Sequence, residues 1–222
     1  MKRPVAGGED LPLSNPFKPQ NRHLLLLLGW VVYFILYGLT EHLIPLERCH
    51  LIHSPLDDKI PFSEGFVVFY VLWYGLILGS LLYFLLRNVK AFQKLQIYIM
   101  TVQALATIIY ILYPSYQDLR PEVFPRENML TAIVGFLYQI DTPTGVFPSL
   151  HVAISLGIAG VWLEQRGEDN RLRLAIALFC LGVCLSVVFV KQHSVLDILG
   201  AIPVSLMAQW FLRRIAIGSQ SC

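Results

Sequence analysis

Charged side chains are scarce in this chain. Asp, Glu, Lys and Arg make up only 14% of its 222 residues, against 55% hydrophobic residues, which excludes an ordinary water-soluble domain. Cysteine is scarce too, and four residues give no disulfide framework. Cys180 and Cys184, one helical turn apart in an apolar run, read as free thiols packed as small apolar groups, and Cys49 and Cys222 as free thiols outside it. There is no basic stripe, internal repeat or low-complexity block, so nothing points to a nucleic-acid partner. There is no H-E-x-x-H pair and no Cys-rich zinc spacing. His42, His50, His53, Asp57 and Asp58 are near one another along the chain but lack ligand spacing, so neither a metal nor a cofactor is expected.

Long hydrophobic runs, by contrast, are plentiful. A bilayer core of about 30 Å takes roughly 20 apolar residues per helical crossing. Six such windows occur: Leu24 to Ile44, Phe66 to Leu86, Leu95 to Tyr113, Ser149 to Gln165, Leu174 to Val190 and Val195 to Ile215. The expected fold is therefore all-α, a polytopic membrane protein built as a six-transmembrane-helix bundle. Residues 1–21 are expected to form a mobile cytoplasmic tail, and 22–217 a single membrane domain. The first window follows Lys2, Arg3, Lys18 and Arg22 as a signal peptide's core would, yet it is too long and has no small-residue cleavage site, so it reads as an uncleaved anchor.

Basic residues set the orientation. The tail, the Arg87–Lys94 and Arg166–Arg173 turns and the Arg213-Arg214 end hold twelve of the seventeen Lys and Arg, which predicts that they are cytoplasmic. Segments 45–65, 114–148 and 191–194, carrying Arg48, Lys59, Arg120, Arg126 and Lys191, are expected on the exterior or luminal side. The stretch Met129 to Ile140 is apolar but too short to cross. The three segments also bring His151 and His193 to that side, and ionisable groups at a lipid boundary are costly enough to mark functional candidates.

Two short motifs carry chemistry. In KQHSVLD, residues 191–197, His193 and Asp197 are four apart, the spacing that joins side chains on one helix face. A carboxylate there accepts the Nδ1 proton and leaves Nε2 as nucleophile or base. The same letters also fit a helix-capping box between Ser194 and Asp197. In FPSLH, residues 147–151, Pro148 and Ser149 signal a helix start, whose free backbone N–H groups and dipole attract an anion beside His151. His151 is then either a proton donor to a leaving oxygen or an interfacial histidine bonded to a carbonyl. Arg120-Pro121 adds a guanidinium suited to phosphate oxygens. The aromatics from Phe66 to Tyr74 read as an interfacial belt and packing surface, or as the border of a lipid opening.

Taken in order, Arg120-Pro121, Pro148-Ser149-x-His151, and Ser186 with His193 and Asp197 resemble the three motifs of the type 2 phosphatidic acid phosphatase superfamily, K-x6-R-P, P-S-G-H and S-R-x5-H-x3-D. The resemblance implies that His193 attacks phosphorus and becomes phosphorylated, Asp197 orients it, His151 protonates the leaving alkoxide, and Arg120 and Ser149 border the phosphate, with no metal. The family's lysine falls at Tyr113, its glycine at Leu150 and its second arginine at Val187; Lys191 and Arg126 are the nearby cations that stand as replacements. P-S-L-H resembles the branch that includes inositol phosphorylceramide synthases, which pass the phosphoryl headgroup to an alcohol. The expectation is a lipid phosphate phosphatase acting on a monoester or diphosphate at the extracytoplasmic face. The alternatives are a lipid headgroup phosphotransferase with the same site and a non-enzymatic transporter or lapsed relative.

Overall fold

A computed structural model describes residues 19–218. Residues 1–18, most of the expected tail, and 219–222, with Cys222, lie outside the described residues. The chain is nearly all helix: α1 (Leu28–Leu43), α2 (Val67–Arg87), α3 (Val89–Leu112), α4 (Met129–Ile140), α5 (Leu150–Glu164), α6 (Asn170–Phe189) and α7 (Val195–Gly218). A 3-10 segment, Pro19–Leu27, leads into α1. Two two-residue strands, β1 (His50–Leu51) and β2 (Ser115–Tyr116), pair in parallel with His50 opposite Ser115.

Five helices are long and apolar enough to cross a membrane: α1 with its lead-in, α2, α3, α6 and α7. Their apolar residues face outward as well as inward, as Leu78 (69% exposed) and Leu112 (78% exposed) illustrate, which suits a hydrocarbon surround. The fourth expected window is α5, only 15 residues long and so about 22 Å at 1.5 Å per residue. It forms the centre of the bundle, packed by α3, α6 and α7, and α3 in turn carries α1 and α2.

Local chemistry fixes the helix ends. Asn88 stops α2 and caps α3 by accepting from Ala91 N, which starts α3 six residues before the apolar window at Leu95. Asn128 and Thr131 form a capping box at α4. Close approach holds the centre: a Cβ on Gly157 would fall 1.9 Å from the Tyr98 ring, so only glycine lets α5 meet α3 there. Tyr98 Oη bonds the Ala153 carbonyl (2.8 Å) and Ser205 Oγ (2.6 Å), tying α3, α5 and α7. Trp162 Nε1 donates to Ser80 Oγ (3.0 Å), tying α5 to α2. Such bonds between membrane helices are worth about 0.6–2 kcal/mol each.

At one end of the bundle the connections 45–65, 114–148 and 190–195 converge. The β1–β2 pair joins the first two, and Lys191 Nζ donates to the carbonyls of Asp57 (2.7 Å) and Ile60 (2.6 Å), joining the first and third.

Candidate active site

The start of α7 is built around two buried carboxylates. Asp197, with no exposed surface, accepts from Ser194 N (2.9 Å) and lies 3.0 Å from His193 Nδ1, both at Oδ2. Ser194 Oγ accepts from Leu196 N. The helix cap at Ser194 and the His193–Asp197 pair thus share one carboxylate oxygen. Asp57, 2% exposed, supports this turn from another loop. It accepts from Ser194 Oγ (2.5 Å), Val195 N (2.8 Å) and Ser54 N (2.8 Å).

α5 begins beside it. Ser149 caps α5 in position and its N–H donates to the Asp197 carbonyl (3.2 Å), so the two helix starts are fastened together. His151, in the first turn of α5, then has its ring centroid 5.9 Å from that of His193. Tyr70 stacks on His151 at 4.3 Å and Trp73 at 4.0 Å, with Tyr74 edge-on at 6.2 Å. Two of these rings, Tyr70 and Trp73, are buried, whereas Tyr74 is 56% exposed. This part of the α2 aromatic run therefore both borders a cavity and packs the site.

That cavity, about 600 Å³, has His151 and His193 at one end and runs between α1 and α2 towards Leu85 and Phe92 at the other. Phe34, Tyr74, Leu78 and Leu82 line it and are exposed, so it is open along its flank. α1 rests on α3, where Trp30 Nε1 donates to Gln96 Oε1 (3.1 Å).

Arg120 is close behind the cavity wall. Its Nη2 donates to Gln192 Oε1 (2.7 Å), its Nη1 to the Tyr138 carbonyl (3.1 Å), and its guanidinium lies 4.7 Å over the Tyr138 ring. Gln192 lines the cavity, and Arg120, by holding its oxygen, leaves the amide Nε2 without a partner. His151 Nε2, Ser149 Oγ, Arg120 Nε and Asp197 Oδ1 are likewise buried without a hydrogen-bond partner among the described residues. Unpaired buried polar atoms are costly, and here five of them belong to residues at or next to the His151–His193 end of the cavity.

Asp141, just after α4, also lines the cavity, with Tyr70 Oη at 3.5 Å from its Oδ2. Burial pushes its carboxyl above the usual range, while His193 and Arg120 pull it back. Burial lowers the Arg120 guanidinium, and Asp141 opposes that.

His193, His151, Asp197, Ser149 and Arg120 thus come together, whereas Lys191 and Arg126 do not join them. The Lys191 ammonium is spent on the Asp57 and Ile60 carbonyls. Arg126, its side chain 71% exposed, pairs with Glu64 (3.2 Å). Neither lines the cavity, so the structure gives no support to either as a replacement for the family's missing cations. Gln192 and Asp141 take positions that spacing did not flag; both are adjacent in sequence to residues that were flagged or to an apolar helix end. In the loop 45–65, His53 pairs with Asp58 (2.9 Å) and His50 stacks on Tyr113 at 4.4 Å, while Asp57 turns inward.

No protein family, curated protein or solved structure matches this chain.

Proposed function

We propose that this protein is a membrane lipid phosphate phosphatase resembling the type 2 phosphatidic acid phosphatase superfamily, with six crossings of which the short, buried α5 is the fourth. The observation that carries the reading is the His193–Asp197 pair beside His151 at one end of a largely apolar cavity. Asp197 accepts a hydrogen bond from Nδ1–H of His193 and so fixes the tautomer in which Nε2 presents its lone pair to phosphorus. Nε2 forms a P–N bond as the P–O bond to the lipid breaks, and His151 gives its proton to the leaving alkoxide. Water then attacks the phosphohistidine, His151 takes the water's proton, and the P–N bond breaks to release phosphate. The backbone N–H groups at the start of α5, Gln192 Nε2 and Arg120 supply positive character for the phosphoryl oxygens. The distribution of basic residues supports an extracytoplasmic site.

A second reading, transfer of the phosphoryl headgroup to an alcohol, is favoured by Leu150 in the place of the family's glycine and by the Asp141 carboxyl facing the cavity, which can accept from an acceptor's hydroxyl. The purified protein is assayed against phosphatidate, lysophosphatidate, sphingoid phosphate and polyprenyl diphosphate in excess chelator, with and without inositol or glycerol. Phosphate release in water supports the phosphatase, and a new phospholipid formed only with an alcohol supports the transferase. No turnover of any lipid, or turnover unchanged in His193→Ala, rejects both and leaves a non-enzymatic relative.

A further inference from the structure

The cavity wall in the middle of α3 carries one polar side chain. Gln103 is 3% exposed and lines the cavity, and neither its Nε2 nor its Oε1 has a hydrogen-bond partner among the described residues. The neighbouring buried glutamine behaves differently. Gln96 accepts from Trp30 Nε1 and donates to the Leu26 carbonyl, so its amide is used by the fold. An unpaired buried amide is costly, and apolar residues such as Ile77 and Leu81 of the facing α2 offer Gln103 nothing.

Its depth follows from two bonds. Tyr110 of α3 donates to the Pro148 carbonyl (2.9 Å) and Tyr98 to the Ala153 carbonyl (2.8 Å), so α3 and α5 run antiparallel. Gln103, between those two tyrosines, is level with the stretch between Pro148 and Ala153, the first turn of α5 that also carries His151. Gln103 therefore addresses the headgroup end of a bound amphiphile, where its first carbonyl or hydroxyl lies beside the phosphate.

We infer that Gln103 is a specificity-determining residue that hydrogen-bonds a carbonyl or hydroxyl carried by the lipid just below its phosphate. The inference rests on reading the site as a lipid phosphate site. An ester-linked glycerolipid and an amide-linked sphingolipid both present such a group at that depth. A polyisoprenoid or simple alkyl phosphate presents only hydrocarbon and leaves the amide unpaired in the complex, and a site built to hydrogen-bond its ligand discriminates against the analogue that lacks the group.

The test uses the full chain carrying His193→Ala, so that binding is read without turnover. Phosphatidate, ceramide phosphate and hexadecyl phosphate are titrated in detergent micelles, following the fluorescence of Trp30 and Trp73, which line the cavity. Gln103→Met, close in volume and apolar, is expected to weaken binding of at least one carbonyl-bearing lipid by about three- to tenfold, the worth of one net hydrogen bond, and to leave hexadecyl phosphate unchanged or tighter. A loss confined to phosphatidate assigns the ester, and one confined to ceramide phosphate the amide or hydroxyl. Equal change on all three lipids, or none, overturns the inference. The thermal midpoint of Gln103→Met without lipid is expected to be no lower than that of its parent; a lower one shows the amide already satisfied within the free protein and overturns the inference as well. If the chain with His193 intact releases and transfers no phosphate while the binding ratio holds, the phosphatase reading fails and this one stands.

Discussion

Ser194 Oγ donates to Asp57 Oδ2 at 2.5 Å, across 137 positions of chain. Asp57 also accepts from the backbone of Val195 and Ser54, so one buried carboxylate from a distant loop caps α7 and sets where His193 stands. Asp57→Ala strips these three donors of their acceptor. It is expected to cost about 2–4 kcal/mol, read as a lowered thermal midpoint in detergent, and to lower turnover by displacing His193. An unchanged midpoint would remove Asp57 from this supporting role.

The proposed attack by His193 predicts a covalent trace. Brief reaction with 32P-labelled lipid phosphate followed by denaturing quench is expected to leave acid-labile, base-stable label on the protein, and none on His193→Ala. Asp197→Asn keeps the shape of the side chain but loses the charge that fixes the Nδ1 proton, and is expected to lower kcat by about 10²–10⁴-fold. Full activity in His193→Ala excludes the phosphohistidine route, and full activity in Asp197→Asn removes the orienting role of Asp197.

Arg120, Gln192 and Lys191 separate by what they touch. Gln192→Leu removes the amide facing the cavity and Arg120→Ala removes the group holding it, so both are expected to weaken inhibition by inorganic phosphate by about tenfold or more, as loss of a charge-assisted contact does. Lys191→Met leaves phosphate inhibition unchanged and lowers the thermal midpoint, because its ammonium links two loops through carbonyls. Phosphate inhibition lost in Lys191→Met with the midpoint intact would reverse this assignment.

Asp141 gives stability a pH dependence of definite sign. Burial raises its folded-state value, opposed by His193 and Arg120 and helped by Glu41. The folded protein therefore holds the proton more tightly than the unfolded chain, and this contribution is complete below the unfolded carboxylate range and lost as pH rises through the folded value. Asp141→Asn is expected to melt higher than the parent at neutral pH, with the difference closing as pH falls towards about 4. A difference that grows on acidification contradicts the assignment.

Hydropathy alone located α2, α6 and α7 closely, because each lies as one apolar run between polar breaks. It placed α3 late, since the Asn88 cap and the polar first turns up to Lys94 are a helix start that apolar counting passes over. The pairing of His193 with Asp197 was legible from a spacing of four on a helix, and its approach to His151 from both motifs opening helices at one predicted face. Asp57, Gln192, Asp141 and Gln103 were not legible, because each is defined by a partner or a cavity far away in sequence. Lys191 misled for the same reason. A cation two residues from a nucleophile says where its Cα lies, whereas a backbone carbonyl over 130 positions away decides where its ammonium goes.

Under the proposed function, a chamber open on its flank between α1 and α2 samples molecules dissolved in the surrounding hydrocarbon, not those free in water. Saturation of such a site is governed by the mole fraction of ligand in the lipid phase. Diluting the ligand with inert detergent at constant bulk concentration then slows the reaction, as if substrate had been taken away.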